Sequence, residues 1–119
     1  MAHYAFLDKN NIVTEVITGI DETELIEGLT PEIWYGNFRN QKCVRTSYNA
    51  NIRKNYASIG GYYDDNFDAF IGVRPYPSWK LNYTTFQWDA PVAKPEEIEG
   101  FIWKWSEYNL EWIKVEING

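Results

Sequence analysis

The stretch at residues 70–91, FIGVRPYPSWKLNYTTFQWDAP, sets the strongest limit on what this chain can fold into. Two short runs, Trp79-Lys80-Leu81 and Phe86-Gln87-Trp88, flank the segment Asn82-Tyr83-Thr84-Thr85. Runs that alternate about an Asn-initiated four-residue loop read as an antiparallel β-hairpin closed by a type I turn. A loop at 82–85 places Trp79 opposite Trp88 and Leu81 opposite Phe86, pairs that each add about 0.5 kcal/mol to a ladder.

The same template recurs. An apolar residue, then Asp, Asn or Ser, then an aromatic seven places after the first, fits Tyr63-Asp64…Phe70, Leu81-Asn82…Trp88 and Trp105-Ser106…Trp112. In the second and third copies another Trp lies two residues earlier, at Trp79 and Trp103, and an apolar residue follows the turn, at Phe86 and Leu110. The first copy has Gly61 and Asp68 at those places and fits less well. The reading is three successive hairpins of one type, with unequal spacers that argue against a solenoid of fixed period.

The rest of the chain supports a mainly β fold of consecutive antiparallel hairpins, with one or two short helices after the first hairpin. Residues 2–7 and 12–18 read as strands joined by the polar turn Asp8-Lys9-Asn10-Asn11, giving a first hairpin over 1–18. A helical segment is expected over 20–36. Asp21 stands as N-cap with Glu24 three residues on, Ile20 and Leu25 form a hydrophobic staple, and Gly28 ends the helix. Thr30-Pro31-Glu32 opens a second short helix ending near Gly36. The remainder, 42–117, is assigned to a strand at 42–48 and the repeated hairpins. Gly60-Gly61 marks a close turn, Pro75 and Pro77 fix an extended segment, and the alternation of 112–117 closes or extends a sheet.

With 119 residues, the chain reads as a single domain, 1–119, able to bury about 65% of its unfolded surface. Aromatic residues make up 18% of it, which implies a thin core of stacked rings, some lying at its edge or on a surface that meets something else. The formal charge of −6 disfavours nucleic acid as a partner. Yet residues 37–63 hold Arg39, Lys42, Arg45, Arg53 and Lys54 and no acid. Two readings stand open: the cations neutralise carboxylates of the same chain, or they form a docking patch for an acidic partner. No apolar run reaches the length of a membrane span, and no secretion signal opens the chain, so neither a membrane nor an export route is expected.

Little points to chemistry. His3 and Cys43 are the single histidine and cysteine, so a nucleophile and base would have to come from these or from carboxylates. The expectation is no catalytic residue, no cofactor and no enzyme. Asp64-Asp65-Asn66-Phe67-Asp68 clusters oxygen ligands but lacks the central Gly and distal Glu of an EF-hand loop, so it reads as an Asx-rich turn with no metal. Trp79, Trp88, Trp103, Trp105 and Trp112 with Tyr76 offer either a flat platform for sugar rings or a mixture of core and subunit-contact surface.

Several runs together carry a resemblance: MAHYAFLDKNNIVTEVI, RTSYN with IRKNYASIGGYYDD, and DAFI with RPYPSW and WKW. They resemble small proteins of tailed bacteriophages, marine and cyanobacterial ones especially, found alone or as parts of virion components. The chain departs from that pattern at Ile71-Gly72-Val73, where a Pro-rich run is usual. The resemblance implies a non-enzymatic virion protein, made in the host cytoplasm, with other virion proteins as partners. The favoured role is a capsid decoration or cement protein bridging major capsid subunits, with self-association open. The alternative is a tail-fibre or baseplate accessory module binding host-surface carbohydrate. The residues expected to meet a partner are Arg53, Lys54, Tyr56, Tyr76, Trp79, Trp88 and Trp103.

Overall fold

A computed structural model describes residues 2–117, with contacts grouped into two compact units, Met1–Val73 and Arg74–Gly119. The chain is mainly β, built of antiparallel hairpins with one short helix after the first.

In the first unit, β1 (Ala2–Leu7), β2 (Val13–Gly19) and β3 (Lys42–Thr46) form an antiparallel sheet with β1 in the centre. All of β1 except His3 is buried, because each of its faces is covered. Tyr4 and Phe6 point to one face, where α1 (Pro31–Arg39) lays the Tyr35 ring 5.1 Å from Tyr4 and the Arg39 guanidinium 4.5 Å from the Phe6 ring. Ala5 and Leu7 point to the other, where Val13, Val44, Ala57, Tyr63 and Phe70 complete the core. Tyr63 and Phe70 reach it from β4 (Tyr62–Asp64) and β5 (Ala69–Ile71), which pair Tyr63 opposite Phe70. The glycine turn ties the two layers: Val13 N–H donates to Gly61 O and Gly60 N–H to Val13 O, at 2.8 and 2.9 Å. Gly60 sits at φ +88°, and a Cβ on Gly61 would lie 2.5 Å from Ile71 O, so both positions require glycine.

The second unit holds two hairpins, β6 (Lys80–Asn82) with β7 (Gln87–Asp89), and β8 (Phe101–Ser106) with β9 (Glu111–Glu116). Among its described residues only Phe86 and Trp105 are buried.

The repeated template is a shared turn. Asp64 Oδ1 accepts from the N–H groups of Asn66 and Phe67, and Asn82 Oδ1 from those of Thr84 and Thr85. Ser106 Oγ accepts from Asn109 N–H. Asp8 does the same in the first hairpin, for Asn10 and Ile12. Each loop ends on a left-handed residue: Asn11, Asp68, Phe86 and Leu110, with φ of 63°, 51°, 58° and 53°. The residues seven apart are cross-strand partners in all three later copies, Tyr63↔Phe70, Leu81↔Trp88 and Trp105↔Trp112. The expected pairing of Trp79 with Trp88 and Leu81 with Phe86 is therefore corrected by two residues, which keeps each side chain on its face. Asn82 belongs to the ladder, opposite Gln87, and Phe86 belongs to the loop. The copy read as poorest is sound, since Asp at position 68 tolerates the left-handed region better than Phe or Leu.

Two further expectations fall. No helix starts at Asp21. Its carboxylate instead accepts from Thr23 N–H and Oγ, and Ile26 and Leu29 exchange backbone bonds across Glu27 and Gly28, both at positive φ. Leu25 is left 64% exposed, so a two-turn helix would have had no apolar face to bury. The helix at Pro31 does form, but runs past Gly36 to Arg39 and stops on left-handed Asn40. The Pro75–Pro77 segment is not extended: it turns, with Trp79 N–H donating to Tyr76 O at 3.1 Å.

Candidate functional site

The residues expected to meet a partner divide between the two units, and their surroundings differ in kind.

Arg53 is the best-anchored cation of the first unit. Its Nε donates to Asp68 and its Nη1 to Arg45 O, at 2.8 and 2.9 Å, while its own carbonyl accepts from the N–H groups of Asn55 and Phe70. Arg53 and Lys54 both lie in the left-handed region, at φ 54° and 71°, a conformation held by those four bonds. The Asp68 carboxylate also accepts from the Tyr63 hydroxyl. Hydrogen bonds from Tyr63 and Arg53 hold Asp68 below its ordinary pKa, and burial is the main reason the Tyr63 hydroxyl is raised.

The wider basic segment follows the same logic. Arg39 pairs with Glu15, Lys42 with Asp65, Arg45 with Glu22 and Arg53 with Asp68, all acids outside residues 37–63. Four of the five cations named for this segment thus neutralise carboxylates of their own chain. The same pairs occupy the acidic turn: Asp64 caps backbone, Asp65 accepts from Lys42 and Asn11, and Asp68 from Arg53 and Tyr63. Among the described residues, no group of three or more His, Cys, Asp or Glu is placed to hold a metal ion. The Cys43 thiol is pushed up to about 12, first by burial and then by the Glu32 carboxylate, which suppresses the thiolate a nucleophile needs.

Tyr56 joins a ring trio, its centroid 5.7 Å from His3 and 5.4 Å from Tyr48, with Tyr48 70% exposed. Sequence reasoning missed Tyr48, which neither alternation nor a motif singles out.

In the second unit the structure gathers Tyr76, Trp79, Trp105 and Trp112. Trp79 lies 5.5 Å from Tyr76 and 6.0 Å from each of the other two, and Trp105 lies 5.3 Å from Trp112. Glu107 organises this cluster, accepting from the Trp105 indole at 2.8 Å and from Ser78 N–H and Oγ at 3.0 and 2.7 Å. Those donors hold its carboxyl below the ordinary range, Trp105 contributing most. Sequence reasoning did not find Glu107, because its partners are 29 residues apart from it or on its own turn. Trp79, Trp105 and Trp112 cross at 60–83°, so these three rings interlock edge to face and do not lie in one plane. Trp88 stands opposite Leu81 with the Arg74 guanidinium 4.8 Å from its ring, and Trp103 donates its indole N–H to Glu96 O at 3.1 Å.

A concavity of about 780 Å³ beside α1 is lined by Thr30, Glu32, Asn37, Gln41, Lys42 and Cys43 among others, with the raised, part-buried thiol on its wall. Compared with known protein families, curated proteins and solved structures, the chain matches none.

Proposed function

We propose that this protein is a non-enzymatic structural component of a tailed-phage virion, a decoration or cement protein that docks on major capsid subunits. The phage context comes from the resemblance of the KNYASIG, DAFI and PYPSW runs. The observation that carries the docking role is the under-buried second unit. It has five of the six tryptophans, yet Phe86 and Trp105 are its only buried described residues. Two-stranded hairpins are marginal on their own and gain stability when an apolar face is covered. Tyr83, Tyr108 and Leu110, at 59%, 96% and 49% exposure, place apolar surface on the turns, where a partner's surface would meet it first.

The charge asymmetry adds little to this reading, since Arg39, Lys42, Arg45 and Arg53 each pair with an acid of the same chain. We therefore assign the contact to the unit that holds the aromatic hairpins and Tyr76, Trp79, Trp88 and Trp103.

Cryo-electron microscopy of the particle and co-sedimentation of the purified chain with assembled capsid shells test the proposal together. Density on the shell and saturable co-sedimentation, weakened by Tyr108→Ala with Tyr83→Ala, are expected. Density confined to tail or baseplate, or a glycan-array response without capsid binding, refutes the decoration role.

A further inference from the structure

Strand β9 ends the described chain with one edge unused. Ile117 N–H donates to Gly100 O at 2.8 Å, so these two form a hydrogen-bonded pair. Hydrogen-bonded and non-hydrogen-bonded pairs alternate along an antiparallel ladder. In the observed register, Phe101↔Glu116 through Ser106↔Glu111, the backbone of Ile113 and Val115 therefore faces β8. That of Trp112, Lys114 and Glu116 faces outward. The sheet has two strands, so among the described residues this outer edge meets no further strand. An open edge of this kind is a template for another strand.

We propose that the strand it takes is β9 of a second copy of this chain, paired antiparallel about a two-fold axis through Val115. The side chains select both partner and register. Residues directly opposed across a ladder share a face, so a self-pairing axis must pass through a residue. With the axis at Val115, Lys114 opposes Glu116 of the second copy, Ile113 opposes Ile117, and both pairs occur twice. Lys114 and Glu116 are the outward-facing residues, so the ion pairs fall on the pairs that exchange backbone bonds. An axis at Lys114 would set ammonium against ammonium, and one at Ile113 would set Glu111 against Val115. The alternating charges of β9 are thus complementary to their own reverse.

Joining two copies also explains the outer face of the hairpin. Ile102, Ile113, Val115 and Ile117 share one side of β8 and β9, and Ile102, Ile113 and Ile117 are 42%, 37% and 56% exposed. The opposite side is already served by residues 92–96: Trp112 donates to Val92 O and Trp103 to Glu96 O. A joined sheet β8-β9-β9-β8 turns two short aliphatic patches into one continuous face on four strands, the size at which a sheet becomes independently stable. This association does not depend on the capsid reading; a chain that binds capsid as a monomer would sink it alone.

Sedimentation velocity on the full chain over a wide concentration range should show a monomer–dimer equilibrium. Glu116→Lys and Lys114→Glu each convert two attractive pairs into two repulsive ones and should weaken the dimer by about ten-fold or more. The double reversal, Lys114→Glu with Glu116→Lys, should restore it. Val115→Cys tests the register in an otherwise native chain. A non-hydrogen-bonded pair on the axis brings the two Cα atoms to about 4.5 Å, within disulfide reach, so mild oxidation should yield a covalent dimer. Ile113→Cys should not. A monomer at every concentration, a dimer indifferent to both single reversals, or equal cross-linking through positions 113 and 115 overturns the proposal.

Discussion

Leu110 and Phe86 occupy the same left-handed turn position, at φ 53° and 58°, and glycine should act on them in opposite directions. A residue other than Gly, Asn or Asp costs about 1–2 kcal/mol in this region, which glycine removes. Glycine gives back about 0.5–1 kcal/mol through the extra freedom of the unfolded chain. At Leu110, 49% exposed, little burial is lost, so Leu110→Gly should stabilise by about 0.5–1 kcal/mol, several degrees in Tm. At Phe86, 4% exposed, the same backbone relief is outweighed by a lost buried ring at about 3–5 kcal/mol, so Phe86→Gly should destabilise by about 2–4 kcal/mol. Urea unfolding followed by tryptophan fluorescence suits the measurement, because five of six tryptophans lie in this unit. Both variants moving the midpoint in the same direction would refute the assignment of Phe86 and Leu110 to one shared turn geometry with different burial.

Arg53→Ala should destabilise the first unit by about 2 kcal/mol, since it removes the Asp68 pair and orphans Arg45 O, and Arg53→Lys should recover only part of this; thermal unfolding compares the two. Asp65, Asp68 and Glu107 are all held below their ordinary values of 3.8, 3.8 and 4.5. A carboxyl so depressed contributes stability above its unfolded value and loses it as pH falls through the folded one. The fold should therefore hold at neutral pH and weaken below about pH 4, with Asp68→Asn flattening that acid limb in a urea-midpoint series. Cys43 and Tyr4, raised from 9.0 and 10.0 to about 12, contribute stability below those unfolded values that is lost as pH climbs toward 12. Iodoacetamide at pH 8 should accordingly label Cys43 slowly in the folded chain and rapidly in urea, and equal rates would refute its burial.

The proposed capsid docking and the proposed dimer place different demands on one unit: the first would use the turns carrying the exposed Tyr83 and Tyr108, the second the outer edge of β9. A decoration protein that is also a dimer could bridge neighbouring subunits through two equivalent contact faces.

Local chemistry was enough to write the hairpins. Asp64, Asn82 and Ser106 each anchor a turn through their own side chain, and the residues seven apart pair in consequence, so a short window of sequence held all the information. The same window could not tell that Phe86 leaves the ladder, because burial of its ring, which offsets the left-handed backbone there, is not visible in the spacing of apolar residues. The helix expected at Asp21 failed for the same reason: its cap was legible, but no apolar surface lay opposite Leu25. Which acids absorb Arg39, Lys42, Arg45 and Arg53, and which rings Glu107 and Ser78 gather round Trp105, were decided by tertiary structure alone, since those partners lie far apart along the chain. Turn geometry is a property of neighbours in sequence, whereas charge neutralisation and ring packing depend on which surfaces the fold brings face to face.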